Sequence, residues 1–244
     1  MDEVVIGFDE VRLYVAIILT LAVFIMLSTA MRRMPLATAE RTNRFMGVLI
    51  VGLMALNHPI LALNDHLHWD IHNALPLHLC SVTYLLVALN CFLKNRTLWM
   101  ITLFWGIIGG VHSILTPQLT HGDSPYFLFF YYFKHGAILM MPLIHRQLWG
   151  FKLGKRDWIN TLVVTNIYVV FSFGVNWLLN RWFPGAQEAN YFYTWEPPQA
   201  NNPIIQGDWP WYLIPCEIAL VVHLVLIQFI FMALERRRER TLIA

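Results

Sequence analysis

Long apolar runs alternate with short polar segments along the whole chain, and this pattern predicts membrane-spanning helices. A helix needs about 20 mostly apolar residues to cross the hydrocarbon core of a bilayer. Seven runs are long enough, and charged residues, proline or glycine bound each of them. These runs cover residues 11–31, 45–64, 75–93, 97–116, 125–148, 158–182 and 210–234. We therefore expect an all-α, polytopic membrane helix bundle that forms one transmembrane domain over residues 1–244.

The basic residues predict how these helices are oriented. Cytoplasmic segments of membrane proteins carry an excess of lysine and arginine. Fourteen of the 17 basic residues follow runs 1, 3, 5 and 7, whereas the other connecting segments are mainly acidic. We expect seven spans in the plasma membrane, with the N-terminus outside and the C-terminus in the cytoplasm. The acidic N-terminal segment lacks the basic start of a cleaved signal peptide, so the first run should be a retained span.

The composition supports this class and excludes an ordinary soluble domain. Of the residues, 57% are hydrophobic and 13% are charged, against roughly 25% charged residues in soluble domains. Cys80, Cys91 and Cys216 all lie in apolar runs, which argues against a disulfide framework. The arginines at positions 236–240 should anchor the cytoplasmic end near anionic lipid, and we expect no nucleic-acid partner. We also expect no cofactor.

Polar side chains within the runs concentrate in one layer of the predicted bilayer. With a helical rise of about 1.5 Å per residue, the polar positions of six runs fall in the outer half of the membrane. Ionisable groups at such depths are costly and usually functional. We therefore expect a polar cavity that opens toward the outer leaflet. The candidate substrate-binding residues are Asn57, His58, His78, His112, Lys134, Asn176 and Glu217.

The stretch Leu75–Ser81 opens the third run and contains the candidate nucleophile. It places Cys80 about two turns inside the predicted helix. His78 lies two positions earlier and would face another direction, so the base should come from another helix, as either His135 or His112. A thiol activated in this way can accept an acyl group and pass it on. The alternative is that Cys80 is a small buried packing residue, as free cysteines often are.

Two further intramembrane features leave a structural role open. Lys134 falls near the midplane of the fifth run, where a charge needs a partner or a cavity. Glu217 could neutralise Lys134 as a structural ion pair, which is as plausible as a catalytic role for either residue. In the fourth run, Gly106 and Gly110 have the spacing of a close helix contact, which would bring His112 near a neighbouring helix.

Two predicted outer loops are unusual in composition. The first, residues 64–73, contains His66, His68 and His72 together with two aspartates. On a helix, His68 and His72 would share a face and could bind a metal. A solvated loop that contacts lipid headgroups is the interpretation we prefer, because no zinc-binding motif is present. The second, residues 183–210, is rich in tryptophan and proline and should form a lid or an interfacial platform.

Several short motifs resemble the YwaF family of bacterial integral membrane proteins, in order and spacing, from about residue 40 to 235. The matching segments are Leu75–Ser81, Trp105–Gly110, Leu115–Pro117, Phe133–Gly136, Asn190–Tyr191 and Pro210–Tyr212, with Glu217. The family is related to a vertebrate transmembrane acyltransferase of ether lysophospholipids, in which an intramembrane cysteine carries the acyl group and a histidine assists. By this resemblance the nucleophile would be Cys80 and the assisting residue His135. His78 is an additional imidazole close to the cysteine.

Three functions are compatible with these residues. The first is an acyltransferase that acts on membrane phospholipid or lysophospholipid in the outer half of the bilayer; a lipid ester hydrolase is its variant with water as acceptor. The second is a non-enzymatic transporter or binder of a small or lipidic ligand, although the sequence lacks the internal repeat common in transporters. The third is a metal-dependent hydrolase, for which no H-E-x-x-H motif is present. The acyl donor and the oligomeric state stay open.

Overall fold

The computed structural model of the chain describes residues 4–63, 69–183, 185, 187–198, 205 and 207–243. Within these ranges the chain forms seven α-helices and one antiparallel pair of two-residue strands. The helices are α1 (Val11–Arg33), α2 (Leu36–Ala62), α3 (Leu79–Leu93), α4 (Arg96–Leu115), α5 (Pro125–Trp149), α6 (Asp157–Trp182) and α7 (Leu213–Ile243), and the strands are β1 (Val4–Val5) and β2 (Gln118–Leu119). Six of these helices are long and apolar enough to cross a membrane. The predicted all-α membrane helix bundle is therefore confirmed.

Three helices begin or end elsewhere than the apolar runs predicted. α3 has 15 residues and begins at Leu79, whereas the third run begins at Leu75. Proline disfavours a helical backbone at the residue that precedes it. Around Pro76 the chain forms a tight turn, in which the Leu77 N–H donates to the Leu75 carbonyl oxygen at 2.8 Å. α2 begins earlier, at Leu36, and α7 continues through the C-terminal arginines. These helices extend into charged segments because arginine and glutamate are good helix formers.

By its internal contacts the chain divides into two compact units, residues 1–150 and residues 151–244. In the first unit α5 packs against α1, α2, α3 and α4, so it is the central helix of that unit. In the second unit α6 packs against α7 and against the short 3-10 turn Tyr191–Tyr193. A single transmembrane domain over the whole chain stays a prediction.

The first unit has the core and the surface of a protein that is surrounded by lipid. Leu13, Phe24 and Met31 form a buried stripe along α1, because residues seven or eleven positions apart lie near one face of a helix. Ile18 and Met26, on the other faces of α1, are 64% and 69% exposed. Large apolar patches of this kind mark contact with a membrane or a partner. Buried apolar residues of α2, α3 and α5 complete the core.

Two glycines bring α4 very close to α5, as the predicted packing face requires. A Cβ atom at Gly106 would lie 2.0 Å from the carbonyl oxygen of Ile138, and one at Gly110 would lie 2.9 Å from the Cβ atom of Leu139. Pro142 has no N–H to donate to the Ile138 carbonyl. The backbone of Gly106 therefore lies against an oxygen that lacks its usual helical donor, where a Cα–H contact is favourable.

The N-terminal strand fixes one end of the first unit. β1 pairs with β2, and β2 joins α4 to α5. The start of α1, the end of α4 and the start of α5 therefore lie together, and we call this end the N-terminal end of the unit. Arg12 donates to the carboxylates of Glu10 and Asp123 there. The hydrogen bond from Arg12 holds the pKa of Asp123 below its ordinary value.

A buried polar network joins α2, α3 and α5 toward the opposite end. Asn43 Nδ2 donates to the carbonyl oxygen of Cys91 at 3.0 Å, and Asn43 Oδ1 lies 3.0 Å from Nε2 of His145. Since this amide oxygen can only accept, Nε2 carries a proton. The other ring nitrogen, Nδ1, lies 3.3 Å from Nδ2 of Asn90. All four residues are at most 1% exposed, so the network is an internal connection between the three helices.

Candidate functional site

Cys80 lies in the first turn of α3, and its predicted position two turns inside a helix is wrong. The backbone of His78 is extended, at φ −68° and ψ 144°, and the helix begins with Leu79. The physical reason is that the residues around Pro76, which were expected to form the first helical turn, form a non-helical turn instead. The N-terminus of a helix carries partial positive charge, which stabilises an anion such as a thiolate. The helix terminus therefore favours the thiolate, whereas burial of the sulfur opposes its ionisation.

The sulfur atom of Cys80 faces α4. Its Sγ atom lies 3.8 Å from the hydroxyl oxygen of Ser113. A Cβ atom at Gly109 would lie 3.1 Å from the same sulfur, so the glycine leaves room for it. Gly109 and Ser113 are four residues apart and share one face of α4. The sequence analysis predicted helix packing for this run from Gly106 and Gly110 and did not single out Gly109 or Ser113.

His135 on α5 is 4% exposed, and one hydrogen bond determines its tautomer. Its Nδ1 atom lies 2.7 Å from the carbonyl oxygen of Tyr131. Because a carbonyl oxygen can only accept, Nδ1 carries the proton, and Nε2 of the neutral ring is an acceptor. The ring of Tyr131 lies 4.2 Å from the imidazole, between centroids. The Tyr131 hydroxyl donates to the Ser113 carbonyl oxygen at 2.9 Å, so Tyr131 connects His135 to the helix that lines the thiol.

Lys134 supplies positive charge to the same neighbourhood. Its side chain is half-buried, and Nζ lies 5.7 Å from the centroid of the Phe130 ring. The charge acts on Cys80, His78 and His135. A cation close to a thiol stabilises the thiolate. Three of the predicted site residues, Cys80, His78 and His135, thus lie within reach of the charge of a fourth, Lys134.

His121 belongs to this neighbourhood although it was not among the predicted site residues. It lies in the segment between α4 and α5, with its ring centroid 5.7 Å from that of Phe127. Burial, and then the charge of Lys134, lower the pKa of His121 to about 4. The imidazole is therefore neutral at pH 7. A histidine followed by Gly122 and Asp123 has the pattern of an exposed turn, so no sequence feature indicates that His121 is half-buried.

The remaining predicted residues of the first unit lie at its N-terminal end. His112 is in the last turn of α4. His58, in the last turns of α2, accepts a hydrogen bond at Nδ1 from the indole Nε1 of Trp69 at 3.1 Å. Asn57, the preceding residue, is buried, at 8% exposed. Their predicted binding roles stay predictions.

Asn176 and Glu217 lie in the second unit and have partners there. Nδ2 of Asn176 donates to the Tyr191 carbonyl oxygen at 2.9 Å, and its Oδ1 accepts from the Tyr191 N–H at 2.8 Å. This buried amide holds part of the predicted lid segment against α6. Oε1 of Glu217 accepts a hydrogen bond from Nδ2 of Asn166 at 2.9 Å. Substrate binding by Asn176 and Glu217 stays a prediction.

The histidine-rich loop lies partly outside the described residues, which leave out Asp65, His66 and His68. His72 is described and is not helical: its N–H and its Nδ1 lie 3.0 and 2.7 Å from Oδ1 of Asp70. Aspartate often stabilises a turn in this way, so the helix face proposed for His72 is wrong. Within the described ranges, no group of three His, Cys, Asp or Glu side chains is arranged to hold a metal ion.

The long apolar helices and their exposed apolar surfaces define a multi-pass integral membrane protein. A cysteine, two histidines and a lysine, all half-buried or buried, lie in one neighbourhood of its first unit. The chain belongs to the TMEM164 family, since the sequence profile of that family matches residues 8–228. No curated protein and no solved structure gives a match. Membership in this family is consistent with the resemblance to acyltransferase-related membrane proteins, and the YwaF family itself stays a prediction.

Proposed function

We propose that the protein is an integral membrane acyltransferase, which transfers a fatty acyl chain between phospholipid and lysophospholipid through a thioester on Cys80. The observation that carries this proposal is the position of the thiol. It lies at the N-terminus of α3, beside the Ser113 hydroxyl and within the field of the Lys134 charge. The helix terminus and the cation both favour the thiolate, against the cost of burying its charge. His135 offers an acceptor nitrogen in the same neighbourhood and is the proposed general base.

In the first half-reaction, the sulfur of Cys80 bonds to the ester carbonyl carbon of a phospholipid, and Nε2 of His135 takes the thiol proton. The acyl carbon–oxygen bond then breaks, and His135 returns the proton to the leaving oxygen, which yields a lysophospholipid. In the second half-reaction, the hydroxyl oxygen of an acceptor lysophospholipid attacks the thioester carbon while Nε2 of His135 takes the hydroxyl proton. The carbon–sulfur bond then breaks, and His135 returns the proton to the sulfur, which leaves as a thiol. The Ser113 hydroxyl is placed to donate to the carbonyl oxygen while it carries negative charge.

The predicted orientation puts this chemistry in the outer leaflet. Cys80 and His135 lie toward the N-terminal end of the first unit, and the distribution of basic residues predicts that this end is outside. Phospholipid is therefore the expected partner of the site. With water as the acceptor, the same thioester would be hydrolysed, which makes the protein a lipid ester hydrolase.

Intact mass spectrometry of the purified protein after incubation with phospholipid tests the proposal. We expect a mass increase of one fatty acyl group that hydroxylamine removes and that Cys80→Ser abolishes. His135→Ala should slow adduct formation by about 100-fold or more, the usual contribution of a general base. Cys216→Ser is the matched control, because this half-buried thiol belongs to the second unit.

An adduct that persists in Cys80→Ser would contradict the assignment of the nucleophile. If neither protein forms an adduct and both retain unmodified lipid, the protein is a binder or transporter and not an acyltransferase. In that outcome Cys80 packs against α4 without taking part in chemistry.

A further inference from the structure

Among the described residues, several buried polar atoms near the Cys80 site have no hydrogen-bond partner, and three of them lie on α2, α3 and α5. These three are the hydroxyls of Tyr84 and Tyr126 and the amide oxygen Oδ1 of Asn57. Tyr84 is fully buried, at 0% exposed, and Asn57 is 8% exposed. Leaving a buried polar atom without a partner costs free energy, so most such groups in folded proteins are paired. A group of them in one region indicates a place where a polar ligand binds.

Both tyrosine rings contact the ring of Phe130. The Tyr84 ring meets Phe130 edge-on, with centroids 6.4 Å apart, and the Tyr126 ring stacks on it at 6.2 Å. Tyr84 on α3 and Tyr126 on α5 therefore contact the same ring in the core of the first unit.

Asn57 lies on the face of α2 that packs toward these rings. Met54, three residues earlier, belongs to the buried cluster that contains Tyr84 and Phe130. Leu61, four residues later, packs with Tyr126 in a neighbouring cluster. Residues at this spacing share one helix face, so the Asn57 amide lies between the two contacts.

Lys134 lies near both this group of polar atoms and the thiol of Cys80. Its ammonium lies 5.7 Å from the Phe130 centroid, and its charge acts on Cys80. A ligand that contacts the two phenols and the ammonium would therefore have its reactive part close to the sulfur.

We propose that Tyr84, Tyr126, Asn57 and Lys134 form a headgroup subsite, which binds the phosphodiester of the glycerolipid that reacts at Cys80 and, when a lysophospholipid is the acceptor, also its free hydroxyl group. This inference rests on the proposed acyl transfer and names the part of the substrate that is recognised. Lys134 and the two phenols are donors suited to phosphate oxygens. Oδ1 of Asn57 is an acceptor and takes the hydrogen bond of the lipid hydroxyl. The apolar residues of the same cluster suit the acyl chain.

The test compares two acyl donors in Tyr84→Phe, a change that removes one oxygen atom and keeps the ring. Dioleoyl phosphatidylcholine carries the phosphodiester, and p-nitrophenyl oleate, an activated ester, does not. We expect Tyr84→Phe to lower the efficiency of Cys80 acylation by the phospholipid about tenfold, the usual loss for one hydrogen bond to a charged group. Acylation by p-nitrophenyl oleate should be unchanged. The variant should also unfold at the same temperature as the wild type or higher.

Tyr132→Phe is the matched control. Tyr132 is 4% exposed and its hydroxyl also has no hydrogen-bond partner among the described residues, but it packs in another cluster, with Leu13 and Ile114. We expect both donors to acylate this variant as they acylate the wild type. An equal loss for both donors in Tyr84→Phe, or an equal phospholipid-specific loss in Tyr132→Phe, would overturn the subsite.

A second measurement separates this inference from the acyltransferase proposal. Native mass spectrometry titrates dioleoyl phosphatidylcholine onto the wild type and onto Tyr84→Phe, without any need for reaction. If the wild type forms no adduct with either donor, acyl transfer fails as a function. In that case, an approximately tenfold weaker binding of phospholipid to Tyr84→Phe would still support the subsite. Unchanged binding would contradict it.

Discussion

On α3, two thiols in one helix have different surroundings. Cys91 is 1% exposed, and its sulfur lies 3.5 Å from Nε2 of His145 inside the buried network. Cys80 is half-buried, stands in the first turn and lies within the field of Lys134. A thiol is reactive when it is partly accessible and near positive charge, and inert when it is enclosed. The contrast is therefore one of position and not of residue type.

The buried network around His145 should contribute to stability and not to chemistry. His145→Ala would leave Oδ1 of Asn43 and Nδ2 of Asn90 without their partner inside the protein. Each buried polar group left in this way costs about 1–3 kcal/mol. We expect the free energy of unfolding in detergent to fall by at least this amount, measured by thermal unfolding followed by circular dichroism.

The folded fraction of His145→Ala should still form the Cys80 adduct at the wild-type rate, because the network joins other parts of α3 and α5. Unchanged stability, or a selective loss of adduct in fully folded protein, would show that His145 does not have this structural role.

The sequence predicted the cysteine, lysine and histidine of the candidate site, but not its serine and tyrosines. Cys80, Lys134 and His135 were found because such groups are rare in apolar runs. Ser113, Tyr84 and Tyr126 were not, since serine and tyrosine are ordinary in membrane helices and their roles depend on which helices meet. Within the described part of the chain the two phenols have no hydrogen-bond partner, and this property depends on how the helices pack, which the sequence does not show.

At the scale of helices, hydrophobic length predicted where the elements lie, and local backbone chemistry decided where they begin. All seven apolar runs contain a helix, but the third begins later because of the turn at Pro76. This difference moves Cys80 from a helix interior to a helix N-terminus, which changes its expected reactivity. The spacing of Gly106 and Gly110 predicted that α4 makes a close helix contact. It did not predict that the other helix is α5.

Gly106→Ala should disrupt the contact between α4 and α5. The added Cβ atom would lie 2.0 Å from the Ile138 carbonyl oxygen, a backbone atom that cannot move aside without shifting the helix. Overpacking of this kind typically costs about 1–3 kcal/mol. We expect a lower unfolding temperature and a slower formation of the Cys80 adduct, because Gly109 and Ser113 lie on the displaced helix.

Gly52→Ala on α2 provides the comparison. An added Cβ atom there meets no other atom within 4 Å, and alanine favours helix over glycine by up to about 1 kcal/mol. This variant should be as stable as the wild type or more stable. Equal behaviour of the two variants would mean that close packing at Gly106 is not required.

At the scale of the whole molecule, the candidate site residues and most of the basic residues lie at opposite ends of the first unit. Cys80, His78 and His58 lie toward the N-terminal end, whereas the basic residues Arg32 and Arg33 close α1 at the other. Positive residues at helix ends favour the cytoplasmic side. The same asymmetry that predicts the orientation therefore predicts which leaflet supplies the substrate.

Labelling from one side of the membrane measures this orientation. In a variant without the native cysteines, we would introduce Ser124→Cys, between β2 and α5, or Lys155→Cys, between α5 and α6; both positions are exposed. An impermeant maleimide should label Ser124→Cys in intact cells and Lys155→Cys only after permeabilisation. The reverse pattern would place the N-terminal end in the cytoplasm. The Cys80 site would then draw its lipid from the inner leaflet, since the fold keeps the thiol at that end in either orientation.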